Sequence, residues 1–148
     1  MDVRPITAAQ ARTVRLPVLR AGMSLASAIF DHDDDPGARH FGAFDGARLV
    51  GVATFFPEPC PGRPEAPAWR LRGMATLGDM QGRGAGRALA AEGVSAAAAA
   101  GATVIWCNAR VSARGFYEKL GYVAVGDEFE LPASGRHHVM IKDLSEPS

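Results

Sequence analysis

Apolar side chains recur at two periods along this chain, and the changes of period divide it into elements. Residues 2–6 alternate well enough for a short strand. Thr7 is placed to cap a helix over 8–16, where Ala8, Ala11, Val14 and Arg15 approximate helical spacing, and Pro17 is expected to interrupt that helix. Val18, Leu19, Leu25, Ile29 and Phe30 carry the apolar pattern to residue 30 as helix or turn packed on a sheet, although Gly22 and Ser24 weaken it. Residues 40–44 and 48–56 read as two strands joined at Asp45-Gly46, a dipeptide suited to a tight hairpin turn. A stiff loop over 57–67, holding five of the chain's ten prolines, follows; it is either the wall of a substrate cleft or a rigid surface connection, and Glu58 and Glu65 are its carboxylates.

The next stretch organises the rest. Trp69, Leu71, Ala75 and Leu77 alternate with Arg70, Arg72 and Thr76, which predicts a strand over 69–77, and Gly78-Asp79 break it. A helix over 84–100 presents Leu89, Ala90, Gly93, Val94 and Ala97 along one stripe, small enough to lie close on a sheet, with Gly101 as its stop. Thr103 to Cys107 is a short apolar run, expected as a buried strand parallel to 69–77 across the helical crossover, with Asn108 and Arg110 just beyond it. Ser112 is placed to cap a short helix over 113–120 in which Phe116 and Leu120 share a face, and Gly121 ends it. Strands over 122–131 and 137–142, linked around 132–135, complete the chain.

Composition narrows the class. A length of 148 residues, 47% hydrophobic and 22% charged, suits one domain able to bury a substantial core. The formal charge is zero and no basic run occurs, so neither a nucleic acid nor an anionic membrane is indicated as partner. No stretch approaches the roughly 20 apolar residues of a membrane span, and no secretory leader is evident, so a cytoplasmic location is expected. Cys60 and Cys107 make no disulfide framework and have no metal-ligand spacing; they read as free thiols, and no metal is expected.

The candidate chemistry lies between strand 69–77 and helix 84–100, where the chain reads Gln81, Gly82, Arg83, Gly84, Ala85, Gly86, Arg87. Alternating glycines let a backbone turn tightly and aim several N–H groups at one point, and the helix start adds unpaired donors and a partial positive charge. Such a turn suits a phosphate or pyrophosphate, with Arg83 and Arg87 adding charge. Neither the dinucleotide fingerprint nor the P-loop fits: the spacing fails from Gly82 and from Gly84, and the loop holds no lysine. Gln81, Gly84 and Gly86 do fill the pattern Gln/Arg, two residues, Gly, any residue, Gly/Ala. In this the segment resembles the acetyl-CoA pyrophosphate loop of the GNAT superfamily of N-acetyltransferases. Residues 113–122, with Phe116-Tyr117 followed by Leu120-Gly121-Tyr122, resemble the family's second hallmark, and the likeness extends over about 40–142.

The resemblance implies an α/β (α+β) fold: a mixed, mostly antiparallel sheet flanked by helices, splayed between strands 69–77 and 103–107, with acetyl-CoA in the splay. It implies that backbone groups of Met74, Ala75 and Thr76 meet the pantetheine arm, that Gln81 to Arg87 hold the pyrophosphate, that Asn108 contacts the cofactor, and that Tyr117 protonates the leaving thiolate. The implied reaction is direct attack of a primary amine, on a small molecule or a protein, with homodimerisation left open. Many relatives carry a glutamate base on the strand equivalent to 69–77, where this chain has no carboxylate. Asp127, Glu128, Glu130, His137 and His138 are then alternative bases acting through water, or merely exposed charges at strand ends. The missing glutamate also leaves a second expectation, a catalytically silent acyl-CoA-binding module. Asp31 to Asp35, an acidic knot closed by Pro36-Gly37, is either a solvated loop or an attractor of cationic amines.

Overall fold

The computed structural model describes residues 1–132 and 135–144. Its strands are β1 (Asp2–Pro5), β2 (Arg39–Asp45), β3 (Arg48–Pro57), β4 (Ala68–Thr76), β5 (Val104–Arg110), β6 (Val123–Leu131) and β7 (Gly135–Asp143); its helices are α1 (Ala8–Leu19), α2 (Ala85–Ala99) and α3 (Arg114–Lys119). One sheet runs in the order β1-β2-β3-β4-β5-β7-β6. β1 with β2, β2 with β3, β5 with β7 and β6 with β7 are antiparallel, and β4 with β5 is parallel, as the sequence led us to expect of the fold class. Part of the expected connection 132–135 lies outside the described residues. No described helix is long and apolar enough to cross a membrane.

The chain divides into two compact units, Met1–Phe56 with Leu71–Ser95, and Pro57–Arg70 with the chain from Ala96 onward. In the first, Thr7 and Gln10 form a reciprocal cap at the start of α1: the Gln10 N–H donates to Thr7 Oγ1 at 3.1 Å and the Thr7 N–H to Gln10 Oε1 at 2.9 Å. The expected interruption at Pro17 does not occur; α1 passes through it to Leu19. Pro17 is exposed, whereas Val18 and Leu19 beyond it pack on a core of Ala11, Val14, Val52 and Ala75. Burial of that last turn offsets a proline cost of about 3 kcal/mol. Helix does not continue to residue 30: Gly22 takes φ 77°, and only a 3-10 turn over Leu25–Ala28 follows. The β2–β3 turn falls on Gly46 and Ala47, one residue later than expected, because β2 keeps Asp45 paired with Arg48 across a register shift at Ala43/Phe44.

The acidic knot is divided: Asp31, Asp34 and Asp35 face solvent, as a solvated loop would, and Asp33 does not. Asp33 turns inward, its side chain 2% exposed, and receives Arg15 Nη1 at 2.7 Å and Nη2 at 3.0 Å. The Phe30 N–H adds a bond to Oδ2 at 3.0 Å. Arg15 itself has no exposed surface; it also donates to the Ala28 carbonyl at 3.0 Å and to Thr54 Oγ1 at 2.7 Å. His40 spans the same network, with Nδ1 2.8 Å from Thr54 Oγ1 and Nε2 2.9 Å from the Asp33 carbonyl. Burial alone would raise the Asp33 pKa, but the Arg15 hydrogen bond, the Phe30 N–H and the Arg15 charge outweigh it and hold the carboxyl below its ordinary range.

α2 lies close on β3 for a steric reason. A Cβ on Gly93 would fall 2.0 Å from Phe55 Cζ, so a residue without a side chain is required where helix meets ring. In the second unit, Ala68, Trp69 and Arg70 stand opposite Val104, Ile105 and Trp106, and the proline-rich loop is tied down rather than free. The Trp106 indole N–H donates to the Glu58 carbonyl at 3.0 Å, Thr103 N–H to the Pro67 carbonyl at 2.8 Å, and Arg63 pairs with Asp143 at 2.7 Å. Those bonds hold the loop in place.

Candidate active site

In the first unit, β4 carries Gly73 at φ 71°, three residues before its end, where a Cβ would crowd Arg15 Nε at 3.0 Å and Phe30 Cε2 at 3.1 Å. Met74, Ala75 and Thr76 follow, Ala75 buried and the others half-buried. The Leu77 N–H donates to the Val50 carbonyl at 2.8 Å, and a 3-10 turn over Gly78–Met80 buries Met80. Gln81 then folds its side chain back, Nε2 donating to the Thr76 carbonyl at 3.2 Å, so it pins the loop's start to the strand's end.

Gly82 at φ 79° and Gly84 at φ 89° adopt the left-handed conformation that L side chains rarely take, with open space where a Cβ would be. The Gly84 carbonyl accepts the Ala88 N–H at 3.0 Å and so opens α2. The N–H groups of the first turn, Ala85 to Arg87, have no carbonyl four residues back within the helix and share its partial positive charge. Ala85 is buried, Gly86 half-buried, and Arg83 and Arg87 are exposed. The nearby carboxylate, Asp79, is held by Arg48 at 2.7 and 3.2 Å, and its pKa is lowered chiefly by that hydrogen bond. Its charge is therefore balanced beside the loop.

In the second unit the sequence reading of α3 is reversed. Tyr117 is the buried residue of the pair, at 8% exposure, and Phe116 is exposed at 39%; a helix of six residues lets one side chain reach the sheet, and the phenol takes it. Ser112 is not a cap but part of a 3-10 turn over Val111–Ala113 that precedes α3. The Tyr117 ring meets Phe116 edge-on at 5.1 Å and Tyr122 at 5.4 Å. Burial first, and the neighbouring Cys107 second, push the Tyr117 pKa well above a phenol's ordinary value. Tyr122 is raised in the same way, and its buried hydroxyl has no hydrogen-bond partner among the described residues. Burial also pushes the Cys107 thiol up to about 12.

Asn108 and Arg110 do not stand beyond β5 but within it, opposite Val139 and His137, because β7 extends the ladder along the whole strand. Alternation places Asn108 on the face that carries Trp106, whereas Cys107, the neighbour of Tyr117, is on the other face. Asn108 and Tyr117 are thus not brought together. His137 and His138, read as exposed strand-end groups, are both buried. His137 Nδ1 donates to the Gly135 carbonyl at 2.8 Å and its ring stacks on Phe129; His138 Nδ1 is buried without a partner among the described residues. Asp127, Glu128 and Glu130 are exposed, with Glu128 paired to Arg136 at 3.3 Å. No group of three or more His, Cys, Asp or Glu among the described residues is arranged to hold a metal ion.

Comparison with known proteins agrees with this geometry. The model of the acetyltransferase (GNAT) family matches residues 10–122. The chain is 35% identical over 144 residues to the uncharacterized N-acetyltransferase YitI of Bacillus subtilis (strain 168), covering 97% of each. Among solved structures it resembles an aminoglycoside 6'-N-acetyltransferase complexed with coenzyme A, with a TM-score of 0.79 at 16% identity over 100% of this chain and 99% of that one. It also resembles the ribosomal-protein-S18-alanine N-acetyltransferase of Escherichia coli, with a TM-score of 0.74 at 16% identity, covering 99% and 96%. At such identities the structural likenesses show the fold.

Proposed function

The chain belongs to the acetyltransferase (GNAT) family and is an N-acetyltransferase, and from that premise we propose that it transfers the acetyl group of acetyl-CoA to a primary amine by direct attack, with Tyr117 as general acid. The observation that carries the reading is the loop from Gln81 to Arg87, where two left-handed glycines lead into the N-terminus of a helix of 15 residues. The family match spans both compact units, which supports treating residues 1–148 as one catalytic domain; residues 133, 134 and 145–148 of it lie outside the described residues.

Acetyl-CoA supplies the activated acetyl carbon and a thiolate leaving group. Backbone N–H groups from Gly82 to Arg87 hold its pyrophosphate, with Arg83 and Arg87 adding charge. Gln81 fixes the loop on β4, and Met74, Ala75 and Thr76 present backbone to the pantetheine arm, with the Thr76 carbonyl engaged by Gln81. Asn108 contacts the bound cofactor from its own face of β5. Tyr117 is kept protonated by burial, so it enters the reaction as a donor. A phenol this weakly acidic gives up its hydrogen only as charge develops on the departing sulfur, which confines its help to the transition state. The acceptor is an amine of a small molecule or a protein.

Thermal melting with acetyl-CoA, NAD and ATP in parallel, joined to turnover of the Tyr117→Phe variant, tests this. Acetyl-CoA at ~100 times its dissociation constant should stabilise the protein by about 2.7 kcal/mol, and NAD and ATP should not. Tyr117→Phe should retain that shift and lose roughly 100-fold in turnover. Stabilisation by NAD or ATP alone would remove the acyltransferase reading, and full turnover by the variant would remove Tyr117 from it. A shift without turnover of any amine would instead indicate a silent acyl-CoA-binding module.

A further inference from the structure

The chain has four histidines, and three engage a ring nitrogen with a neighbour. His32 Nδ1 meets Asp35 Oδ2 at 2.7 Å, His40 uses both nitrogens within the Arg15 network, and His137 Nδ1 binds the Gly135 carbonyl. His138 is as buried as His40, yet its Nδ1 has no hydrogen-bond partner among the described residues. Leaving a buried polar atom unmet costs about 1–3 kcal/mol, and such atoms call for a reason other than stability.

The backbone treats His138 as a special position too. On β6, Val125 pairs with Val139 and Phe129 with His137, so the three residues Gly126, Asp127 and Glu128 arch opposite His138 alone, with Gly126 at φ 72°. A bulge of this kind interrupts pairing and re-aims the side chain it faces. Across β7, His138 stands opposite Ala109, and alternation puts it on the sheet face of Met140 and of Cys107, the face that carries Tyr117. The titratable groups of that face are Cys107, kept a thiol by burial, Tyr117 and Tyr122, kept protonated by burial, Lys142, whose Nζ donates to the Leu120 carbonyl at 2.7 Å, and, towards the start of β7, the exposed Arg136 with Glu130 opposite it. The buried ones, Cys107, Tyr117 and Tyr122, present a hydrogen, and the carboxylate, Glu130, is exposed. The imidazole is the buried member of the set that has a lone pair to accept one.

We infer that His138 is the general base of the transfer, occupying the role for which β4 offers no carboxylate; this rests on the acetyltransferase reading above. The acceptor arrives as an ammonium, and His138 takes the proton it must lose to free the lone pair for attack; the second proton, shed by the nitrogen once its bond to the acetyl carbon has formed, passes to solvent. The C–S bond breaks with its electron pair leaving on sulfur, and Tyr117 gives that sulfur its hydrogen. One proton released by the imidazolium to solvent and one taken up by the phenolate restore both side chains.

The test compares wild type with His138→Gln on two kinds of nucleophile, with acetyl-CoA as donor. Tyramine, spermidine and a peptide α-amine serve as strongly basic amines that must lose a proton; hydroxylamine serves as a nucleophile already neutral near pH 7. His138→Gln should lower kcat/KM roughly 100-fold for the basic amine that wild type uses. The hydroxylamine rate should fall only a few-fold, and stabilisation by acetyl-CoA should remain. Equal losses with both nucleophiles would mark His138 as structural and overturn the inference, as would an unchanged rate. Wild type inert to every amine would overturn the acetyltransferase reading itself, and the assignment of His138 with it.

Discussion

Arg15, without exposed surface, engages both terminal nitrogens with Asp33, Thr54 and the Ala28 carbonyl, leaving only its Nε without a partner among the described residues, and His40 joins the same network through Thr54. In the other compact unit, His137 binds the Gly135 carbonyl, but the Tyr122 hydroxyl and His138 Nδ1 meet no partner among the described residues, and Tyr117 is packed edge-on between two aromatic rings. One region buries a charged pair within a network of bonds; the other buries weaker groups and leaves two of them unmet. The first arrangement fixes the 3-10 turn and the acidic segment against β3, so its polar groups serve the fold. The second costs stability without returning any, as expected where side chains are held for chemistry.

The comparison breaks most sharply at Asp33. Asp33→Asn keeps the shape but leaves the Arg15 guanidinium buried and unneutralised, and removing one partner of a buried pair costs about 3–5 kcal/mol. Urea unfolding monitored by far-UV circular dichroism should show the midpoint falling accordingly, with the slope unchanged. A loss under about 1 kcal/mol would mean that the pair is a surface-like contact and that the two regions do not differ in kind.

What the sequence made legible follows the same division. The β2–β3 hairpin to within one residue, the strand ending near Leu77 and the glycine turn into α2 were readable because turn chemistry and period are local signals. The Arg15–Asp33 pair was not, since it joins residues 18 apart in different elements, although a charged residue sharing a helical face with Ala11 and Val14 was a signal for it. Continuation of α1 through Pro17 depends on what Val18 and Leu19 pack against, which period alone does not reveal. Phe116 and Tyr117 are neighbours of similar size, so six residues of helix gave no means of choosing the buried one. The full length of β5, and with it the place of Asn108, was set by pairing with β7.

A smaller effect sharpens the contrast through pH. The Asp33 carboxyl is held below its ordinary range in the fold, so the unfolded chain binds this proton first as acid is added. The stability it contributes is complete above the unfolded value of about 3.9 and is lost as pH falls through the folded one, at up to about 1.4 kcal/mol per pH unit. Thermal melts between pH 6 and pH 3, with Asp33→Asn as the variant that lacks this proton site, should show the wild-type advantage shrinking as acid is added. A constant advantage across that range would place the acid sensitivity in other carboxyls.

The smallest expected effect has the opposite sign and so discriminates best. Tyr122→Phe removes a hydroxyl that is buried and has no partner among the described residues, and keeps the ring that meets Tyr117. Ridding a core of an unmet polar atom while preserving its shape is nearly neutral to stabilising, here by about 1 kcal/mol. Deleting a polar group should thus weaken the Arg15 region and strengthen the Tyr117 region, a difference in sign that no common scale of burial would produce. A loss of stability in Tyr122→Phe would show that its hydroxyl is satisfied in solution, and the tyrosine would then belong with Thr54 and His40 as a group that serves the fold.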